Sequence, residues 1–169
     1  MPRSLFCRRA APAVVARGLL LAALMVGTAA CGSDDSTQAC PTAVADIEAV
    51  AVASEAGHAV FTVTVASPDK GCSCYADWWE VIGLDGTLIG RRLLAHAHDT
   101  EQPFTRAGEP WQLSEDLYVI VRAHMHGGTG YGGRVFKGSV RDGFQASSVE
   151  AGFANAAASE QPQPPACAN

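Results

Sequence analysis

Strict period-two alternation is the feature that most limits what this chain can fold into. Residues 58–66 read His-Ala-Val-Phe-Thr-Val-Thr-Val-Ala, with Phe61, Val63 and Val65 opposing Val60, Thr62 and Thr64. An extended strand turns such a sequence into one apolar face and one mixed face. Similar runs recur at 44–53, 75–84, 87–95, 117–125 and 134–140, with a short one at 111–113. Turn residues separate them: Ser54-Glu-Ala-Gly57, Ser67-Pro-Asp-Lys-Gly71 and Asp85-Gly86, the last a two-residue hairpin signal. About seven short strands at regular spacing predict an all-β, antiparallel sandwich of immunoglobulin-like or fibronectin-like type. Trp78 or Trp79 is then the core tryptophan, and Tyr118 opens the penultimate strand. Residues 99–108 read as a loop, which Phe104 pins to the sandwich, and 41–142 as the domain. Residues 143–169 read as a tail, weakly helical over 146–158 and then Pro-rich or disordered.

The first 30 residues obey a different rule. Arg3, Arg8, Arg9 and Arg17 precede the apolar run from Gly18 to Gly27, which Thr28-Ala29-Ala30 and Cys31 follow. This pattern reads as a cleaved export signal, too short to span a bilayer comfortably. The stretch Gly27-Thr28-Ala29-Ala30-Cys31 resembles the bacterial lipobox, departing from it at Thr28, where that motif usually has Leu. The resemblance implies lipidation of Cys31 with palmitate-type acyl chains, and a membrane as partner. Residues 31–40 are then a short spacer, and Gly32 after the cysteine favours the outer membrane in a Gram-negative host.

Without the signal the chain keeps eight basic and all 17 acidic residues, a net charge of −9. Such a surface excludes nucleic acid as a partner. Cys40, Cys72, Cys74 and Cys167 also remain, and four cysteines in an exported domain suggest two disulfides. A Cys72–Cys74 bridge is disfavoured because strand neighbours two apart diverge. Each is expected to pair with Cys40 or Cys167.

Four histidines form two pairs, His96-Ala-His98 and His124-Met-His126. Alternate strand residues share a face, so each pair can offer two imidazoles to one ion, copper or zinc. If 87–95 returns from the Asp85-Gly86 hairpin and 117–125 runs antiparallel to 75–84, both pairs reach one rim. Cys72, Cys74, Asp99 and Glu101 lie at that rim too, and Arg106, Arg122 and Tyr131 are candidate ligand contacts there. The competing reading makes these histidines exposed strand-end residues or hydrogen-bond posts. Asp77 and Glu80, three apart on a strand, fall on opposite faces and make no acid–base pair. The loop Gly127-Gly-Thr-Gly-Tyr-Gly-Gly133 lacks the Lys-Ser/Thr of a phosphate loop and reads as a hairpin.

The segments Tyr75-Ala-Asp-Trp-Trp-Glu-Val81, Glu101-Gln-Pro-Phe-Thr-Arg106 and Val121-Arg-Ala-His-Met125 resemble a group of exported bacterial β-sandwich proteins, over residues 72–140 at most. The resemblance implies no activity. The sequence therefore points to a non-enzymatic, membrane-tethered binding module with a histidine rim. An envelope interaction module without metal is the alternative, and a metal-dependent enzyme ranks last, since no general base stands out.

Overall fold

The computed structural model describes residues 40–168, so the signal segment, Cys31 and the rest of the spacer before Cys40 lie outside it. Among the described residues the protein is all-β, in two antiparallel sheets. Strands β1 (Asp46–Glu55), β2 (His58–Ala66) and β5 (Phe104–Ala107) form one sheet, with β6 (Trp111–Gln112) pairing the same β2. The other sheet runs in the order β4 (Leu88–Leu93), β3 (Tyr75–Gly83), β7 (Val119–His126), β8 (Val135–Ser139) and β9 (Gly143–Ser147). An immunoglobulin-like sandwich fits this arrangement, as the alternation predicts. Nine strands replace about seven. The expected loop contains β5, whose Phe104 is buried as anticipated, and the expected tail begins with β9. The weak helix expected over 146–158 is instead the end of β9, turns and a short 3-10 segment, Asn155–Ser159. Tyr118 precedes its strand and is exposed.

The core between the sheets follows the alternation. Ala59, Phe61, Val63 and Val65 of β2 face Trp79 and Val81 of β3 and Val119, Val121 and Ala123 of β7. Trp79 is thus the core tryptophan. Trp111 leans on it edge-to-face, with ring centroids 5.8 Å apart.

Strand β3 has no solvent face, because every residue in it is buried. Ile82, Ile120 and Val135 on the outer side of its sheet pack under Phe153, Ala154 and Ala157. The C-terminal segment is a partial third layer. The register of β3 against β7 slips between Ala76 and Trp78. Such a bulge resets which side chains face the core: Cys74 and Ala76 do so before it, Trp79 and Val81 after it. Asp77 bonds His124 and Glu80 bonds Arg122, alternate residues of β7. Asp77 and Glu80 therefore share the outer face. The expectation of opposite faces fails because it assumed unbroken alternation.

Two disulfides, Cys40–Cys74 and Cys72–Cys167, have Cα separations of 5.9 and 5.6 Å. Neither joins Cys72 to Cys74, in keeping with the steric argument.

Candidate functional site

The loop before β3 and the loop after β4 are stitched together by side chains. Asp69, itself buried, accepts from the backbone N–H groups of Ala76 (3.0 Å) and His98 (2.8 Å). The Asp99 carboxylate accepts from the Gly71 N–H, and Gln102 bridges Ser67 and the His98 carbonyl. These bonds fix the backbone on both sides of His98. Its ring lies flat on Phe104, with centroids 3.7 Å apart, and its side chain is only 1% exposed.

Neither nitrogen of this buried ring has a hydrogen-bond partner. Asp69 stands 3.8 Å from Nδ1 and Glu101 stands 3.6 Å from Nε2, both beyond bonding range. Leaving a buried polar group unpaired costs about 1–3 kcal/mol, so the arrangement needs a physical reason. Burial, with the charges of Arg106 and His96, lowers the imidazole below its ordinary pKa, against the pull of Glu101 and Asp69. His98 is thus neutral at neutral pH, the form that donates a lone pair. The His96 ring centroid is 4.6 Å from that of His98. Ligand atoms of His96, His98 and Glu101 all lie within 4.8 Å of one another. Tetrahedral zinc ligands stand roughly 3.4 Å apart, and His96 and Glu101 are both exposed. A cleft of about 420 Å³, lined by Gly71, His96, Ala97, Asp99, Thr100 and Ala168, opens beside His96. Glu101 also pairs with Arg106, whose charge competes with a cation.

His124 and His126 are not in this group. His124 lies opposite Trp78 on the outer face, whereas His98 turns toward Phe104 of the other sheet. The two pairs share an end of the sandwich but occupy different sides of one sheet. His124 stacks on Trp78 at 3.9 Å and bonds the buried Asp77 through Nδ1 at 2.6 Å. The exposed His126 sits by Tyr75, with ring centroids 5.5 Å apart.

Of the expected ligand contacts, Arg106 is beside His98, whereas Arg122 and Tyr131 belong to the outer face. Arg122 is buried, bonds Glu80 at 2.8 Å and lies 3.5 Å over the Tyr131 ring. The Tyr131 hydroxyl accepts from the Trp78 indole. Burial and the neighbouring Glu80 push its pKa up to about 12. Sequence reasoning gave no role to Asp69, Gln102 and Arg91, and weighed Glu80 only as a partner for Asp77. Asp69 and Gln102 look like ordinary loop residues. Glu80 and Arg122 did leave a signal, since each interrupts an apolar strand with a charge of opposite sign.

The chain is 40% identical over 118 residues to a protein of Halomicrobium mukohataei described as "Putative lipoprotein". The match takes in 63% of this chain and 56% of that protein, so the chain spans little more than half of its relative's length. No family model and no solved structure matches the chain.

Proposed function

We propose that this is an exported, envelope-associated lipoprotein, tethered through lipid on Cys31, whose β-sandwich binds a transition metal through His96, His98 and Glu101. The similarity to the Halomicrobium protein supports the lipoprotein reading. Two disulfides support export, because they persist in oxidising compartments. The observation that carries the metal reading is the His98 ring, buried with both nitrogens unpaired beside His96 and Glu101. Imidazole suits zinc and copper, with raw affinity favouring Cu(II). The Cys40–Cys74 bridge holds Cys40 at the His98 end of β3.

Metal analysis of the purified protein with Zn(II) and Cu(II) tests this. One ion per chain is expected, with affinity falling on His96→Ala or Glu101→Gln, unchanged on His126→Ala, and rising on Arg106→Gln. Binding well below one ion per chain, or indifferent to His96→Ala, sinks the metal reading. The Arg106–Glu101 ion pair favours a second reading, an envelope interaction module without metal. Under that reading Arg106→Gln changes no ion affinity.

A further inference from the structure

The outer face of the five-stranded sheet holds a buried ionic cluster that neither export nor metal binding explains. Glu80 is 0% exposed, Arg122 2% and Arg91 6%. Arg91 donates to Glu80 from Nε (2.9 Å) and Nη2 (2.6 Å). Its other N–H groups go to the carbonyls of Ala157, Glu160 and Pro162, at 2.6 to 2.9 Å. Arg122 donates to Glu80, and to the carbonyls of Phe153 (2.7 Å) and Ala154 (3.0 Å). Two guanidiniums thus share one carboxylate. The excess positive charge is met by the ring faces of Trp78 and Tyr131 and by carbonyl dipoles, and residues 153–162 supply all of those carbonyls.

We propose that Arg91 and Arg122 form a binding site for a phosphate or carboxylate group, held shut by residues 153–162 and opened when the Cys72–Cys167 bridge is reduced. The covering segment presents backbone oxygens to the arginines, and its apolar contribution is small: Phe153, Ala154 and Ala157. A tetrahedral or planar oxyanion satisfies the same guanidinium forks bidentately and supplies the missing negative charge. The segment's far end is fastened by Cys167 to Cys72, beside one backbone bond from Ala168 to Ala95. A dithiol reductant gives two electrons and two protons to that bridge. The S–S bond breaks, two thiols form and the reductant becomes a disulfide. The segment is then held by hydrogen bonds and a few apolar contacts. No metal at His98 is needed for this.

The test uses the purified protein and its Cys72→Ser/Cys167→Ser double variant, which keeps Cys40–Cys74. Hydrogen exchange is followed at Phe153, Asn155, Ala157 and Glu160, whose amides each bond the carbonyl three residues back: Glu150, Gly152, Ala154 and Ala157. Exchange should quicken roughly tenfold or more once the bridge is lost, while amides of β2 and β3 stay protected. Inorganic phosphate, titrated calorimetrically, should bind the double variant roughly tenfold or more tightly than the oxidised wild type, in which only the rarely opened form takes it up. Adding Arg91→Lys should weaken that binding roughly tenfold, since Lys cannot make the fork. Should the double variant lose its core protection, phosphate added to the oxidised wild type, with chloride holding ionic strength, should still quicken those four amides by mass action. Unchanged protection after the bridge is cut overturns the proposal. So does phosphate binding indifferent to Arg91→Lys, or no effect of phosphate on exchange.

Discussion

At Tyr131 several neighbours act on one hydroxyl. Burial and the Glu80 carboxylate oppose ionisation more than Arg122 favours it, and the pKa rises to about 12. An unfolded chain ionises this group near 10. Its contribution to stability is therefore intact below pH 10, and is lost as pH rises from 10 through about 12. Denaturant melts across that range should show the loss, and Tyr131→Phe should flatten it. Gly90 shows the same dependence on close neighbours. A Cβ there would stand 2.1 Å from the Trp111 ring. Gly90→Ala should cost about 1–3 kcal/mol in chemical denaturation by driving Trp111 off β4. A cost near zero would mean that Trp111 moves freely.

Strand β3 ties the elements together, through its bulge and through Glu80. Glu80 links β3 to β4 through Arg91 and to β7 through Arg122. Removing one partner from a buried ionic cluster leaves uncompensated charge, at a cost of about 3–5 kcal/mol. Glu80→Gln should lower stability by that order, measured by urea unfolding. An exposed pair such as Arg141–Asp116 should show roughly 0–1 kcal/mol when broken. How far each strand was legible follows from its surroundings. Strand β2 is buried on one face only, so its alternation survives in the sequence. Strand β3 is covered on both faces, so its pattern is nearly continuous and the bulge at Asp77 leaves no local mark. Strand β5 is four residues long, directly follows Pro103 and borrows its ladder from β2, so residues 99–108 read as loop.

For the whole molecule, the Cys40–Cys74 bridge holds the beginning of the domain to the residue just before β3. Its sequence separation is 34 residues, and removing a bridge of this size typically costs about 2–4 kcal/mol. Cys40→Ser/Cys74→Ser should lower the denaturation midpoint accordingly, with Cys72–Cys167 still formed. Cysteine spacing limited the pairings but could not choose between them, because that choice depends on which loops meet.

The same division runs through the candidate site. The sequence by itself determined an all-β sandwich and two histidine pairs carried to one end of the fold. Those properties rest on alternation, composition and the Asp85-Gly86 turn, all of them local. Only the tertiary structure decided that His98 is buried against Phe104, that His124 belongs to Asp77 and Trp78, and that the C-terminal segment closes over Arg91 and Arg122. Each of these depends on which face of a sheet a side chain occupies and what covers it. A one-residue bulge changes the first, and distant chain supplies the second.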